Sequence, residues 1–297
     1  HFFSSQADFD AGAAGAELMR RYGVDRRVLN RDEVLRIEPA LAAWGPRIAG
    51  GTFTPSDESG DACVFTQQLA RRCAERGATF LYDHDVLPLE RVGGALRQVR
   101  VRDRLSGVTT TLRGEAVVAA LGSYTAPLLR PLGVCLNIYP AKGYSATFRL
   151  CDPARASVVS LLDDSRKIAI SRLGDRLRVA GTAELAGFDT RLDTATARVR
   201  CEALRQRVEE LFPGVVDPAE PNFWTGLRPS TPTNIPYIGR TRVPGLWVNA
   251  GHGTLGWTHG AGSGRALAEL MDGQQPALAF DFTGFGSVRR DWRPVAA

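Results

Sequence analysis

The first part of the chain places apolar residues at helical spacing between short breaks. Phe9 and Met19 lie on one side of a predicted helix that ends near Gly23. Asn30 is predicted to cap a second helix, because Glu33 follows three residues later and completes a capping box. Two helices therefore open the chain.

A third helix is predicted after a polar loop at residues 55–61. Phe65 and Leu69 share one face of this helix, and Gly77 ends it. Residues 79–82 are predicted to form a strand directly after that glycine.

Two further segments have the pattern of strands. Residues 96–102 and 108–112 alternate apolar and polar positions on either side of a turn, which predicts a hairpin. Residues 116–121 are an apolar run typical of a strand buried on both faces in a parallel sheet. Gly122 and Ser123 follow it, and because α/β proteins bind ligands at such strand exits, both are candidate ligand contacts.

From about residue 138 to residue 228 the pattern changes to longer, alternating strands. Strands are predicted at residues 144–149, 167–172 and 176–180, and a helix is predicted with its apolar face formed by Val199, Leu204, Val208 and Leu211. We interpret this part as a separate, mainly antiparallel layer. The first domain is then discontinuous, since the chain returns to an apolar strand at Leu246.

The C-terminal strand leads into a glycine-rich loop and a helix. It starts at Leu246 and breaks at Gly251, and the helix follows at once. Glycine lets the backbone approach a ligand closely, and the first N–H groups of a helix form its positive dipole end. The pattern predicts an electron-rich ligand at residues 251–256. The alternative is that these glycines only mark tight packing.

Composition narrows the choice of partners. The chain has 297 residues, 44% hydrophobic and 23% charged, which suits one large or two modest globular domains. Its net charge of +5 comes from arginines scattered among acids, so we expect small-molecule partners and no nucleic acid. Five dispersed cysteines and four dispersed histidines argue against a disulfide framework and against a metal site.

The two ends of the chain carry further expectations. No apolar run is long enough to span a bilayer. His1 is neither an initiating Met nor part of a basic leader, so we expect the chain to begin inside a longer protein. Residues 289–293 include three arginines, which we interpret as a solvated tail, with contact to an anionic membrane surface as the alternative.

Arg228 is the candidate for binding an anionic ligand. It stands between the end of an apolar strand and Pro229. A guanidinium held in this way can give two parallel hydrogen bonds to a carboxylate. The alternative is a surface arginine before a turn.

Five stretches together resemble a known family. Residues 55–61, 118–124, 139–145, 223–229 and 249–258 resemble, in order, the FAD-dependent D-amino acid dehydrogenases. More widely, nearly the whole chain is similar to the superfamily of glycine oxidase, sarcosine oxidase and D-amino acid oxidase. The string Gly-Thr-Leu-Gly-Trp-Thr at residues 253–258 favours the dehydrogenase branch.

The resemblance implies an α/β fold, α+β overall. A discontinuous Rossmann-like FAD-binding domain would be represented by its C-terminal half, without the family's opening Gly-x-Gly-x-x-Gly unit. An antiparallel-sheet substrate domain with helices would accompany it. The expected ranges are 1–48 and 129–230 for the substrate domain, 49–128 and 231–285 for the FAD domain, and 286–297 for a tail.

The resemblance also implies the site. FAD would be bound by Val86, Gly122, Ser123, Gly251, His252, Gly253, Thr254, Leu255 and Gly256. Arg228 would bind the substrate carboxylate, Tyr144 is a second candidate, and Trp257 would line the side-chain pocket with Trp224 and Leu255. We expect no separate catalytic residue, because the flavin carries the redox chemistry.

The implied activity is oxidation of a D-amino acid such as D-alanine to an imino acid, which hydrolyses to a 2-oxo acid and ammonia. Electrons would pass to a respiratory acceptor. We expect a cytoplasmic location and leave peripheral contact with the inner face of the cell membrane, and a homo-oligomer, open. One alternative is an oxidoreductase of the glycine or sarcosine oxidase type. Another is a non-catalytic chain that holds no cofactor.

Overall fold

The computed structural model describes residues 1–219 and 221–277. The predicted tail and the end of the predicted FAD domain lie outside these residues. The helices are α1 Gln6–Arg21, α2 Arg31–Ile37, α3 Ala62–Glu75, α4 Thr125–Leu129, α5 Ala195–Leu211 and α6 Gly256–Met271. The strands are β1 Phe2–Phe3, β2 Arg27–Leu29, β3 Gly50–Phe53, β4 His84–Val86, β5 Gln98–Asp103, β6 Thr109–Arg113, β7 Val117–Ala119, β8 Tyr139–Arg149, β9 Leu161–Asp163, β10 Ile168–Leu173, β11 Arg176–Glu184, β12 Asn222–Ser230, β13 Tyr237–Arg240 and β14 Leu246–Ala250.

The chain divides into two compact units, each built from two segments. Unit 1 comprises His1–Thr66 and Lys142–Gly226, and unit 2 comprises Gln67–Ala141 and Leu227–Ala297. The sequence placed the substrate domain at 1–48 and 129–230, so its boundaries differ from those of unit 1. In the prediction and in the structure alike, each unit is formed by two separate segments of the chain.

Local signals set the N-terminal ends of the first two helices. The side chain of Ser5 caps α1, where its hydroxyl accepts the backbone N–H of Asp8 at 3.1 Å. The predicted capping box of α2 is confirmed. Asn30 Oδ1 accepts the N–H of Glu33 at 3.0 Å, and the Glu33 carboxylate accepts the N–H of Asn30 at 2.8 Å. These contacts satisfy backbone donors that the first turn of a helix leaves unpaired.

Unit 1 carries an eight-stranded sheet in the order β12-β8-β11-β10-β9-β1-β3-β2. Its pairs are mainly antiparallel, as predicted, and β1 joins β9 in parallel. Leu204, Val208 and Leu211 of α5 are fully buried in the core of this unit. Val199 is 71% exposed, so its assignment to that face is wrong. Val199 precedes Leu204 by five residues and lies about 140° away from it around the helix, because successive residues are rotated by about 100°.

A buried ion pair lies beneath α5 in unit 1. The guanidinium of Arg207 lies 2.6 Å from the Asp163 carboxylate and 2.8 Å from that of Glu210, and its carbon is 4.1 Å from the ring centroid of Trp44. Asp163 is fully buried, and its Oδ1 has no hydrogen-bond partner among the described residues. Since a desolvated charge needs compensation, Asp163 depends on Arg207.

Unit 2 contains two three-stranded sheets, β13-β14-β7 and β4-β5-β6. The predicted hairpin is confirmed by the antiparallel pair β5 and β6. The strand predicted at residues 79–82 is wrong, because the chain turns at Asp83, with φ of 55°, and only then enters β4. The parallel pairing predicted for the apolar run is confirmed, since β7 runs parallel to β14. Val118 is 40% exposed, so β7 is not buried on both faces.

Helix α3 differs from the others in its packing. Asp61 Oδ1 accepts the N–H groups of Cys63 at 2.9 Å and Val64 at 3.1 Å and so caps its first turn. None of its side chains is buried, and the predicted apolar face, Phe65 and Leu69, is about half exposed. Local capping therefore defines this helix more than core packing does.

No helix in the described part of the chain combines the length and apolar character needed to cross a membrane.

Candidate cofactor and substrate site

The loop after β14 reverses direction on glycines. Gly251 has φ of 89° and Gly253 has φ of 54°, which only glycine adopts readily. A methyl group at position 251 would lie 2.9 Å from Thr231 Cγ2 and 3.3 Å from Tyr237 Cδ2. The Leu255 N–H donates to the His252 carbonyl at 3.0 Å, and α6 begins immediately afterwards. The predicted sequence of strand, glycine loop and helix is therefore confirmed.

The chain also turns at a positive-φ glycine where it leaves β7. Gly122 has φ of 54° and opens a single turn of 3-10 helix. Thr125 Oγ1 accepts the Leu121 N–H at 3.0 Å and fixes this turn. Ser123 is buried, and its hydroxyl donates to the Leu227 carbonyl at 3.4 Å, a long contact. The β7 exit thus lies beside the end of β12.

Residues 227–231 connect the two strand exits within unit 2. A methyl group at Gly122 would lie 3.9 Å from Pro229, and one at Gly253 would lie 4.0 Å from Ser230. Thr231 is the neighbour of Gly251. One short segment therefore lies beside both glycine turns.

Arg228 lies in the middle of this connecting segment. It is partly buried, and burial lowers the pKa of its guanidinium because desolvation disfavours the charged form. Arginine nevertheless stays protonated in proteins. A partly desolvated cation in this position favours an anionic ligand, because the anion would accept hydrogen bonds that the guanidinium otherwise gives to water.

Polar chemistry next to the loop is consistent with a bound ligand. Asn249 Oδ1, near the end of β14, is buried and has no hydrogen-bond partner among the described residues. Two parallel strands, β7 and β14, end side by side in positive-φ glycines, and dinucleotides bind at such an edge in α/β proteins. These residues fit a flavin nucleotide.

The other predicted cofactor residues are spread more widely over unit 2. Val86 lies in the sheet β4-β5-β6, opposite Val101. Thr254 is exposed, and Gly256 is the first residue of α6. His252 is half-buried next to Ser263. The predicted pocket walls are all about half exposed: Trp224 in unit 1, and Leu255 and Trp257 in unit 2.

Tyr144 lies in unit 1 and is 1% exposed. Its hydroxyl donates to the Glu184 carboxylate. Its ring lies 5.2 Å from Lys142 Nζ and 5.9 Å from the guanidinium carbon of Arg200. Burial, and after it the hydrogen bond to Glu184, raises the pKa of Tyr144. The donor that substrate binding would require is therefore already engaged.

Sequence reasoning missed Glu184. The pairing of β11 with β8 is regular from residue 176 to Gly181 and then shifts before Glu184, which pairs with Lys142. Such an irregularity re-aims side chains, and alternation along the strand gives no sign of it. Thr182, within the shifted part, has φ of 61°.

A separate cavity of about 260 Å³ lies in unit 1 and contains none of the predicted site residues. Its acidic lining residue is Glu38, whose carboxylate accepts the N–H groups of Ala40, Val158 and Val159 at 2.8–3.2 Å. Burial raises the pKa of Glu38, and these hydrogen bonds oppose the rise. We assign Glu38 a structural role, because its oxygens already serve the backbone.

The fold and the glycine turns agree with a comparison of the sequence with known families. A family described as FAD dependent oxidoreductase matches residues 1–270. The chain belongs to this family. The predicted resemblance and the FAD-dependent oxidoreductase fold are thereby confirmed, and FAD is the family's cofactor.

The curated relatives of this chain are longer than the chain itself. The D-amino acid dehydrogenase of Dechloromonas aromatica is 46% identical over 282 residues, covering 95% of this chain and 66% of the relative. That of Cereibacter sphaeroides is 47% identical over 279 residues, covering 93% of this chain and 61% of the relative. The chain thus spans 61–66% of the length of these relatives.

Solved structures support the fold. Glycine oxidase from Geobacillus kaustophilus matches with a TM-score of 0.79 and 26% identity, over 94% of this chain and 71% of that one. L-proline dehydrogenase from P. horikoshii matches with a TM-score of 0.76 and 16% identity, over 92% and 72%. At 16% identity the second match concerns the fold alone.

Proposed function

We propose that this protein is the FAD-dependent catalytic part of a D-amino acid dehydrogenase. Relatives with that name are 44–47% identical over most of the chain. The structural observation that supports the proposal is the convergence in unit 2 of two positive-φ glycine turns on the segment that carries Arg228. The proposed reaction is conversion of a D-amino acid, such as D-alanine, to a 2-oxo acid and ammonia.

The cofactor would be held by backbone more than by side chains. Gly122, Ser123 and residues 251–256 are the proposed contacts, and Val86 is a further one in the sheet β4-β5-β6. FAD would supply the electron-accepting chemistry when bound. The N–H groups of the glycine loop and the first turn of α6 would place partial positive charge where negative charge develops.

Arg228 would orient the substrate through its carboxylate. A guanidinium can hold both carboxylate oxygens at once, which fixes the direction of the Cα substituents as well as their position. Tyr144 is the second candidate for this contact. To donate to a substrate it would have to release Glu184, so we rank it below Arg228.

The electron acceptor we propose is a respiratory carrier, since the curated relatives are named dehydrogenases. An acceptor of that kind would require the protein to reach a membrane surface from the cytoplasm. Co-flotation with vesicles that contain anionic lipid would test this contact, and flotation no greater than with neutral lipid would contradict it.

The proposed function is tested by titrating FAD and then adding D-alanine without oxygen while recording flavin absorbance. Two proteins should be compared: the chain itself, and the chain joined to the part of the Dechloromonas aromatica relative that the alignment leaves uncovered. Binding followed by bleaching supports the proposal. If neither protein binds FAD, or if glycine bleaches it and D-alanine does not, the proposal is wrong.

Arg228 provides the matched mutational test. Arg228→Ala should lower kcat/KM by an amount equivalent to about 2–5 kcal/mol, the range found when one partner of a buried charge pair is removed. Arg228→Lys keeps the charge but loses the paired hydrogen bonds, so it should lie between Ala and the wild type. Arg113→Ala, on the exposed strand β6, is the control. Equal kcat/KM for Arg228→Ala and the control would remove Arg228 from the site.

A further inference from the structure

His252 and Ser263 form a contact that joins the glycine loop to α6. His252 Nε2 lies 3.0 Å from Ser263 Oγ. Ser263 is 6% exposed, and its hydroxyl also lies 3.1 Å from the Gly260 carbonyl, to which it donates. The contact spans eleven residues of sequence and lies within unit 2.

The number of protons decides the direction of these hydrogen bonds. A serine hydroxyl has one hydrogen, and the Gly260 carbonyl accepts it. His252 Nε2 must then donate to Ser263 Oγ, so a neutral His252 carries its proton on Nε2. Burial lowers the pKa of His252, and the charge of His259 adds to the effect, so the neutral ring is favoured.

The ring belongs to the residue between the two positive-φ glycines. His252 follows Gly251, and its carbonyl accepts the Leu255 N–H at 3.0 Å. Anchoring the ring therefore restrains the backbone on both sides of it. The glycines allow the loop many conformations, and the His252–Ser263 contact selects one of them.

We propose that Ser263 is a positioning residue that, through His252, holds the 251–256 loop in the conformation that binds FAD. This inference rests on the proposed function, because it assigns the loop to the cofactor. Ser263 lies among Gly260, Gly262 and Gly264, where the sequence suggests only a small residue inside a helix. The structure gives its hydroxyl a specific partner.

The expected effect follows from the fraction of protein in the binding conformation. Apparent affinity falls in proportion to that fraction. Loss of a single buried hydrogen bond would reduce the fraction in the binding conformation to about a tenth, so the FAD dissociation constant should rise about 10-fold. Because Ser263 acts through His252, Ser263→Ala and His252→Ala should give similar increases, and the double variant should give no further increase.

The test measures FAD dissociation constants for the wild type, the two single variants and the double variant, in the longer of the two proteins described above. Met271→Ala, an exposed position at the C-terminal end of α6, is the control and should bind FAD like the wild type. Ser263→Thr retains the hydroxyl and should bind more tightly than Ser263→Ala. Circular dichroism confirms that each variant is folded.

A second readout does not involve FAD. Imidazole ¹⁵N shifts of the cofactor-free protein report which ring nitrogen carries the proton, and His252→Ala identifies the signal among the four histidines. The wild type should show His252 protonated on Nε2, and Ser263→Ala should change the His252 signals.

Wild-type affinity in Ser263→Ala would overturn the inference, and so would a double variant whose increase is the product of the two single increases. Either result leaves wild-type FAD binding intact. Absence of FAD binding in the wild type would instead overturn the proposed function and this inference with it. The two failures are therefore distinguishable.

Discussion

Replacing Gly251 with alanine tests whether the shape of the glycine loop depends on that residue. The backbone has φ of 89°, where a side chain is strained. The added methyl group would lie 2.9 Å from Thr231 Cγ2, 3.3 Å from Tyr237 Cδ2 and 3.7 Å from Ile138 Cδ1. The first distance is shorter than packed carbon atoms allow, so the loop or its neighbours must move.

Two costs contribute to the change in stability. A left-handed conformation costs a non-glycine residue about 1–2 kcal/mol. Forcing a methyl group into packed surroundings costs about 1–3 kcal/mol. We therefore expect Gly251→Ala to lower the free energy of unfolding by about 2–5 kcal/mol. Gly262→Ala is the matched control, since its methyl group meets nothing within 4 Å inside α6, and it should raise stability by up to about 1 kcal/mol.

Urea unfolding followed by circular dichroism measures both variants, with separate fits if the two units unfold in separate steps. FAD affinity should fall for Gly251→Ala, because a displaced loop no longer presents its N–H groups in the same direction. A loss of less than about 1 kcal/mol for Gly251→Ala, or a larger loss for Gly262→Ala, would refute the packing argument.

Three further predictions concern stability. Arg207→Met should destabilise unit 1 by about 3–5 kcal/mol in urea unfolding, because it leaves the buried Asp163 carboxylate without its partner. Adding Asp163→Asn should recover part of this loss, and no recovery would contradict the charge argument. The pKa of His252 is lowered from 6.5 in the folded state, so protonation favours the unfolded state. The free energy of unfolding should therefore decrease as the pH falls from above 6.5 towards the folded pKa. His252→Gln should show a smaller decrease between about pH 7.5 and pH 5. Asn30→Ala should cost about 0.5–2 kcal/mol through loss of the α2 cap, and a change in unfolding midpoint equal to that of Asp32→Ala would argue against the capping box.

The elements predicted correctly are those specified by residues close together in the sequence. The Asn30 and Glu33 capping box spans three residues, and its hydrogen bonds form as predicted. The β5–β6 hairpin and the parallel run at β7 also follow from patterns within a few residues. The strand proposed at residues 79–82 does not form, because the chain turns at Asp83, where φ is 55°, and enters the sheet only at His84.

Contacts between residues that are far apart in the sequence could not be predicted from such local patterns. The bond between His252 and Ser263 requires the exact angle between a loop and a helix. The partner of Tyr144 is set by an irregular register in β11, forty residues away. The exposure of Val199 shows a related limit, since a mixed helix offers more than one apolar face and only packing selects between them.

The packing of α3 has a consequence for how the chain opens in solution. None of the side chains of α3 is fully buried, and a helix of this length is marginal in water without tertiary packing. Its free energy of local opening should be small, whereas α5 is held by six buried side chains. Amide hydrogens of α3 should exchange with solvent long before those of α5. Because the chain passes from unit 1 to unit 2 between Thr66 and Gln67, inside α3, we expect the same opening to make this connection a site of proteolytic cleavage.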